Sequence, residues 1–354
     1  MFSPLEPINP VSDSRIEHKT ASLNGVKYHY LYGIPKSGSW TQTVFLVHGW
    51  PDLSMGWRFQ IPLLLDLGCR VVAPDMMGYG GTDAPQVPPN PISLYGIKRA
   101  ADDIAALAKE LNAPRIVLGG HDWYPNLISH IFSVCTPYTA PSDKYLSTAD
   151  LVSGPLPQFA YQLHLASGEV EKSVNNEQTI RQFLKGMYGA RGPNGEVAFD
   201  PEKGVLVENL PKIGESKVLN GQVLDYYVKQ YLNHGIHPTS NPDPPRNLVN
   251  WYRQRRTNWE EDQALLSQKT ITQPTLFIQA TRDAVLKPEM SKSMDRFIPR
   301  LTRKEVVAAH WALIQKPDEV NEIIRQWFEA QGLVGSANAN GNLNGSKQRG
   351  ASHL

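Results

Sequence analysis

Residues 115–123, RIVLGGHDW, constrain the fold of this chain more than any other stretch. Ile116 to Leu118 are consecutive apolar residues, as is typical of a short buried strand. Two glycines follow, and because glycine adopts backbone conformations closed to other residues, they permit a sharp turn. The turn leaves the side chain of Asp122 exposed at its tip. The stretch therefore predicts a strand and turn that present one carboxylate as a nucleophile.

An aspartate in this position restricts the chemistry. A serine that attacked saturated carbon would form an ether, which water does not readily cleave. A carboxylate that displaces a leaving group from saturated carbon forms an ester, and water can attack the carbonyl of that ester. Asp122 therefore indicates an epoxide or an alkyl halide as substrate. The alternative, which holds for any such run taken alone, is an aspartate that caps a turn.

Length and charge bound the remaining possibilities. A chain of 354 residues can bury a large core or carry an inserted domain. Its net charge is +1 and it has no basic run, which argues against nucleic acid or an anionic membrane as partner. Cys69 and Cys135 lie in apolar segments, where buried thiols are expected. Without a secretion signal or an apolar run of membrane-spanning length, the chain is expected to be cytoplasmic.

The pattern of the first part of the chain predicts a parallel sheet. Alternation around Asn24-Gly25 indicates an opening hairpin. After it, strands and helices alternate, which places an active site at the carboxyl ends of the strands. We expect buried strands at 43–47, 70–74, 116–118, 275–279 and 306–309. Helices are expected at 55–67, 93–112 and 318–330, and Ser93 is the candidate N-cap of the second.

Residues 142–267 break this alternation. Proline-rich joints separate helical patches, among them 177–187 and 220–231. We interpret the segment as a mainly helical domain inserted in the core, of the kind that excludes water from a pocket. The arginines of this segment at 253, 255 and 256 are expected to form a solvated face.

A second turn, His48-Gly49-Trp50-Pro51, follows the strand predicted at 43–47. Its Trp-Pro bond is a plausible cis site. The amide of Trp50 is a candidate for one half of an oxyanion hole, with the amide of Trp123 as the other half. Taken alone, the motif fits an ordinary strand-ending turn equally well.

Several motifs together resemble the epoxide hydrolase branch of the α/β-hydrolase family. They are HGWPD, VAPDMMGYGGTDAP and GGHDW, joined by FAYQL and NWYR, which resemble the two cap tyrosine segments of soluble epoxide hydrolases. The resemblance covers roughly residues 18–330 and implies an α/β fold, a mostly parallel sheet flanked by helices with an inserted helical cap. The corresponding domains are a core of 1–141 and 268–331, a cap of 142–267 and a disordered tail of 332–354.

The resemblance also implies roles for individual side chains. Asp122 opens the epoxide, while Tyr161 and Tyr252 hydrogen-bond to its oxygen as charge develops. His310, oriented by Asp283, activates the water that hydrolyses the ester. The order of nucleophile, acid and base along the chain is that of this fold. Each residue also has a plainer explanation, since the tyrosines could pack in an aromatic cap, Asp283 could form a turn and His310 could be structural.

The expected function is hydrolysis of a small apolar epoxide by water to a vicinal diol, as in detoxification, with neither a cofactor nor a metal. A haloalkane dehalogenase is the nearest enzymatic alternative. It would share Asp122, Asp283 and His310 but would need halide-stabilising groups instead of paired tyrosines. A ligand-binding homologue without activity is the alternative from another class.

One departure from the family supports that last alternative. Between Trp123 and Pro137 the family has a full helix and then a strand, but this chain has room for one of them. The run fits a short helix as well, yet its β-branched residues and the ending Thr-Pro-Tyr favour the strand. The helix that normally braces the nucleophile is then largely deleted. Its loss would remove a helix dipole, and it would either expose apolar surface or force neighbouring elements to rearrange.

The final tripeptide, Ser352-His353-Leu354, resembles the peroxisomal address Ser-Lys-Leu on a flexible tether. A peroxisomal import receptor is therefore a candidate partner and the peroxisome an alternative location. The sequence leaves the oligomeric state open, as well as the particular epoxide.

Overall fold

The computed structural model describes residues 5–120, 128–234 and 249–335. Its centre is a sheet of eight strands, and the inserted segment contains a separate two-stranded ribbon. The strands are β1 (Glu17–Leu23), β2 (Val26–Gly33), β3 (Gln42–Val47), β4 (Cys69–Pro74), β5 (Ile116–Gly120), β6 (Ile128–Val134), β7 (Phe199–Asp200), β8 (Gly204–Val205), β9 (Thr275–Ala280) and β10 (Leu301–Val306).

Helices flank this sheet and fill the segment between β6 and β9. The α-helices are α1 (Gln60–Asp66), α2 (Ile97–Glu110), α3 (Thr148–Val152), α4 (Ala160–Ser167), α5 (Glu169–Ser173), α6 (Glu177–Met187), α7 (Gly221–His234), α8 (Arg255–Asp262), α9 (Ala312–Gln315) and α10 (Pro317–Ala330). Short 3-10 segments lie at Ser54–Trp57, Ile92–Tyr95, Pro157–Phe159, Val207–Lys212, Asn250–Arg253, Gln263–Leu265, Pro288–Ser291 and Met294–Arg296.

The sheet has the order β1-β2-β4-β3-β5-β6-β9-β10. β1 and β2 form the predicted antiparallel hairpin, with Asn24 (φ 48) and Gly25 (φ 84) in the left-handed conformation that a tight hairpin turn needs. β2 pairs antiparallel with β4, and the remaining neighbours pair in parallel. The central strands β4 and β5 are buried along their whole length, as expected where helices cover both faces. The prediction of a mostly parallel α/β sheet is confirmed.

The strand predicted after residue 123 is also confirmed, because β6 lies parallel to β5 with Ile116 paired to Ile128. Residues 121–127 link the two strands and lie outside the described residues. This link is shorter than the connection of about a dozen residues or more that parallel strands usually need. On one face of β5 and β6, a cleft of about 50 Å³ is lined by residues that include Leu118, Ile131 and Tyr138. Ile131 is half-buried there, whereas Leu118 and Ile128 are buried.

Three predictions about element bounds are wrong. The helix expected at 55–67 is a 3-10 turn followed by α1, since Pro62 lacks an N–H and is tolerated only near a helix start. Ser93 is not the N-cap of α2, which starts at Ile97, where the side chain of Asn258 accepts the Ile97 N–H at 3.0 Å. The strand expected at 306–309 is β10, which ends at Val306 where its pairing with β9 ends.

The inserted segment between β6 and β9 is mainly helical, as predicted. α6 coincides with the helix expected at 177–187, and a reciprocal pair of hydrogen bonds between Asn176 and Thr179 caps its start. The proposed boundaries at 142 and 267 remain a prediction. Within the described ranges, we find no helix that combines the length and the apolar character needed to cross a bilayer.

Candidate active site

The predicted acid and base meet at one edge of the sheet. Asp283 follows β9 and His310 follows β10, which lies beside β9 in parallel. Nδ1 of His310 lies 2.8 Å from Oδ2 of Asp283. Oδ1 of Asp283 accepts hydrogen bonds from the N–H groups of Val285, at 2.9 Å, and Leu286, at 3.0 Å. Both carboxylate oxygens of Asp283 therefore have hydrogen-bond partners.

These contacts set the charge of Asp283. Burial alone would raise the pKa of its carboxyl, but the hydrogen bond with His310 and the N–H groups of Leu286 and Val285 lower it more. The net pKa lies below the usual 3.8, so Asp283 is ionised at neutral pH. An ionised Asp283 accepts the proton on Nδ1 and leaves Nε2 of His310 able to take a proton from water.

The two predicted tyrosines also meet. Tyr161 lies in α4 and Tyr252 in the segment Asn250–Arg253, and their ring centroids are 5.8 Å apart. Trp50 of the core contacts both rings: its ring centroid lies 6.3 Å from that of Tyr161 and 5.6 Å from that of Tyr252. Residues far apart in the chain thus place two phenols over the turn that contains Trp50. Phe183 and Phe199 extend this aromatic cluster around Trp50.

The environment of the phenols suits hydrogen-bond donation. Burial raises the pKa of Tyr252 well above its usual 10.0, and a hydrogen bond with Tyr161 adds to the rise. Tyr252 therefore keeps its proton at neutral pH. The side-chain amide of Gln162 donates to the hydroxyl of Tyr161 at 3.3 Å.

Arg253 fixes the position of the Tyr252 segment. Its guanidinium donates to Glu171 at 2.9 Å and to the carbonyl of Ala166 at 3.1 Å, so it joins this segment to α4 and α5. Arg255 donates to the carbonyl of Leu146 at 2.6 Å. The prediction of a solvated arginine face is therefore wrong for these two residues and fits only Arg256, whose side chain is 61% exposed.

The turn after β3 is built as the sequence indicated. The peptide bond between Trp50 and Pro51 is cis. His48 braces the turn, since its Nδ1 lies 2.9 Å from the carbonyl of Gly49 and its Nε2 accepts the N–H of Met76 at 3.0 Å. The role of the Trp50 amide in an oxyanion hole remains a prediction.

The two glycines that end β5 are required by close packing. A Cβ on Gly119 would lie 2.1 Å from the ring of Phe132, and one on Gly120 would lie 2.4 Å from the carbonyl oxygen of Val47. Gly120 also has a φ of 145°, which other residues rarely adopt. Asp122 and Trp123 follow after His121 and lie outside the described residues. Because β3 and β5 are paired in parallel at Val47 and Gly120, both predicted turns leave the same edge of the sheet.

Sequence reasoning missed a polar contact between the core and the inserted segment. Oδ1 of Asp52, in the HGWPD motif, accepts hydrogen bonds from the hydroxyls of Tyr188, at 2.9 Å, and Tyr227, at 2.6 Å. The ring of Tyr188 also stacks on Trp311, directly after His310, with centroids 4.0 Å apart. The indole N–H of Trp311 donates to the carbonyl of Met187 at 2.7 Å. The only sequence signal was the aspartate that ends the motif.

Both cysteines are buried and free, as predicted. The position of Cys135 beside Asp283 and His310 was missed, although it follows β6 at the same edge of the sheet. One potential ligand atom from each of these three residues lies within 4.8 Å of the others. His310 and Asp283 are hydrogen-bonded to each other, and the thiol of Cys135 lies 3.2 Å from the carbonyl oxygen of His310.

Comparisons of sequence agree with this architecture. A family profile described as alpha/beta hydrolase fold matches residues 42–123 and 235–317. An epoxide hydrolase of Neurospora crassa is 37% identical over 344 residues, which covers 90% of this chain and 96% of that protein. The bifunctional epoxide hydrolase 2 of Mus musculus is 29% identical over 343 residues, which covers 91% of this chain but 57% of that protein.

Solved structures give the same picture. An epoxide hydrolase from Vigna radiata superposes with a TM-score of 0.73 at 24% identity, with 90% of this chain and 99% of that chain covered. Epoxide hydrolase A from Mycobacterium thermoresistibile gives a TM-score of 0.71 at 25% identity, with 89% and 98% covered. This chain has the α/β sheet and inserted helices of the fold, and it shares 37% sequence identity with the Neurospora crassa enzyme over 90% of its length. The protein therefore belongs to the epoxide hydrolases of the α/β-hydrolase fold.

Proposed function

We propose that this chain hydrolyses small apolar epoxides to vicinal diols through an ester on Asp122. The observation that carries the proposal is the pair of phenols, Tyr161 and Tyr252, held 5.8 Å apart over Trp50. Paired donors suit the departing oxygen of an epoxide, which leaves as an alkoxide and needs acids as charge develops. The surrounding aromatic rings favour an apolar substrate.

In the first step, a carboxylate oxygen of Asp122 attacks one oxirane carbon and the bond from that carbon to the ring oxygen breaks. The oxygen remains on the neighbouring carbon and takes a proton from Tyr161 or Tyr252. Asp122 is then esterified and one tyrosine is a tyrosinate. The raised pKa of Tyr252 favours the return of a proton to it later in the cycle.

In the second step, Nε2 of His310 takes a proton from water, and the oxygen of that water attacks the carbonyl carbon of the ester. Asp283 stabilises the imidazolium that forms. The amides of Trp50 and Trp123 are the proposed donors to the oxyanion of the tetrahedral intermediate. Its collapse releases the diol and frees Asp122, and His310 passes its proton back to the tyrosinate through the diol or solvent.

The test is a single turnover in ¹⁸O-labelled water with one aryl and one alkyl epoxide, followed by mass spectrometry of the diol and of the peptide that contains Asp122. The ester mechanism predicts label in Asp122 and an unlabelled diol, because the water oxygen enters the carboxyl group first. Asp122→Ala should form no diol. Labelled diol would indicate direct attack by water, and a folded protein that forms no diol would indicate a ligand-binding homologue.

The C-terminal tripeptide is a further proposal, since Ser352, His353 and Leu354 match the chemistry of a peroxisomal address. These residues lie outside the described part of the chain. A fluorescent protein fused to the N-terminus should enter peroxisomes, and removal of residues 352–354 should leave it in the cytoplasm. An unchanged distribution after the deletion would contradict the proposal.

A further inference from the structure

Cys135 lies between the segments that hold the acid and the base. It directly follows β6, has a left-handed backbone with a φ of 67°, and donates its N–H to the carbonyl of Ile278 in β9 at 2.9 Å. This bond continues the pairing of β6 with β9 to the edge of the sheet from which Asp283 and His310 extend. The side chain of Cys135 is only 1% exposed.

The thiol contacts both segments. Its sulfur lies 3.2 Å from the carbonyl oxygen of His310, a distance at which the S–H donates a hydrogen bond. The backbone N–H groups of Ala312 and Ala280 also act on the pKa of this thiol, so both lie close to the sulfur. Ala280 ends β9, three residues before Asp283, and Ala312 starts α9, two residues after His310. One side chain therefore joins the two loops of the acid and the base.

The thiol is a donor in this environment. Burial raises the pKa of Cys135, and the charge of Asp283 raises it further, while the backbone hydrogen bonds oppose the rise only in part. The protonated form is therefore the one present at neutral pH. A buried, protonated thiol is a poor nucleophile and a poor metal ligand, but it can satisfy a buried carbonyl.

We propose that Cys135 is a positioning residue for the hydrolytic step. Its thiol holds the backbone carbonyl of His310, and so fixes the point from which the imidazole reaches Asp283 at 2.8 Å. The inference rests on the proposed function, in which His310 acts on the ester and not on the epoxide. Loss of the thiol should therefore slow hydrolysis of the ester and leave its formation unchanged.

This selectivity has a kinetic signature. When hydrolysis becomes slower than ester formation, kcat and KM fall together and kcat/KM stays constant, because kcat/KM reports only binding and ester formation. A variant that merely loosens the fold would lower kcat/KM as well. The two kinds of effect are thus distinguishable.

The experiment compares Cys135→Ala, Cys135→Ser and Cys69→Ala by stopped-flow measurement of ester formation and decay. Cys69 is a matched control, since it is also buried and free but starts β4 at the opposite end of the sheet. Cys135→Ala should slow ester decay about three- to tenfold. Cys135→Ser restores a donor and should recover most of the rate, and Cys69→Ala should decay at the wild-type rate.

A second readout does not depend on turnover. In ¹⁵N NMR spectra of the histidines, His310 should show one tautomer, with the proton on Nδ1, in the wild type and in Cys69→Ala, and an averaged signal in Cys135→Ala. If the wild type forms no ester, the proposed function fails while this comparison still decides the role of Cys135. Two results would overturn the inference. One is a Cys135→Ala variant whose ester decays at the wild-type rate and whose His310 signal is unchanged. The other is a Cys135→Ala variant whose kcat/KM falls by as much as its kcat.

Discussion

At the scale of single residues, burial and hydrogen-bond partners give Asp283 and Tyr252 different protonation states. The His310 contact and two backbone N–H groups overcome the effect of burial on Asp283 and lower its pKa, whereas burial and Tyr161 both raise the pKa of Tyr252. At neutral pH the first is a charged acceptor and the second a neutral donor. These are the states that the proposed mechanism requires of a group that orients the base and of a group that protonates the epoxide oxygen.

The phenol pair leads to a prediction about the first step. Tyr161→Phe and Tyr252→Phe should each slow ester formation at least about tenfold, and together at least about a hundredfold, because each phenylalanine keeps the ring but loses the donor. Rapid-quench measurement of ester on Asp122 checks this. Tyr145→Phe is a matched control, since that tyrosine also lies in the inserted segment but packs on Trp259. A double variant with the wild-type rate would show that the phenols only pack.

At the scale of elements, one buried carboxylate at the end of β4 connects two loops and strand β2. Asp75 accepts the N–H groups of Ser54, at 2.9 Å, and Gly81, at 3.0 Å, and its Oδ2 lies 2.7 Å from Nδ1 of His29. A Cβ on Gly80 would lie 2.0 Å from the same carboxylate, which explains the glycine. The glycine-rich loop in VAPDMMGYGGTDAP therefore wraps a carboxylate of the protein itself.

Asp75 predicts how stability depends on pH. Burial would raise its pKa, but the His29 contact and the Ser54 N–H lower it to about 2. Because this is below the unfolded value of about 3.9, the carboxylate stabilises the fold above about pH 4, and this contribution is lost as the pH falls from about 4 to 2. It amounts to about 2 to 3 kcal/mol.

The check is the free energy of unfolding in urea for the wild type and Asp75→Asn. The variant should be less stable at pH 6, and the difference should fall to about half near pH 3. A difference that stayed constant over this range would show that the charge of Asp75 does not contribute.

At the scale of the whole molecule, the inserted helices dock on the core beside the reacting groups. Tyr188 follows α6 and Tyr227 lies in α7, and both donate to Asp52, two residues after Trp50. Tyr188 also stacks on Trp311, next to His310. One cluster thus connects the insertion to the turn that carries the proposed oxyanion donor and to the loop of the base.

This cluster predicts a non-additive loss of stability. Tyr188→Phe or Tyr227→Phe should each cost about 1 to 2 kcal/mol, and the pair should cost more than the sum, because the buried Asp52 carboxylate then loses both phenols. A double-mutant cycle of urea unfolding measures the difference. The matched control is Tyr226→Phe, also on α7, since no described residue pairs with the buried hydroxyl of Tyr226. Strict additivity would mean that Asp52 does not couple the two tyrosines.

The sequence by itself indicated most of the strands, their mostly parallel pairing and the family to which the chain belongs. Buried strands are continuous apolar runs, and turns follow them, so Asp283 and His310 could be placed at strand ends without coordinates. The strand over 128–134 was predictable for the same reason, since β-branched content and a following proline are local signals. The likeness of several motifs to epoxide hydrolases then identified Tyr161 and Tyr252.

The tertiary structure alone decided which polar groups meet. The cap of α2 comes from Asn258, the partner of Arg253 is Glu171, and the thiol of Cys135 reaches the carbonyl of His310. None of these pairs shares a local pattern, because their residues are brought together only when the insertion folds, when it packs on the core or when distant strands pair. Hydrophobic periodicity reports which side of an element is buried, whereas the choice of a hydrogen-bond partner depends on which segments pack together.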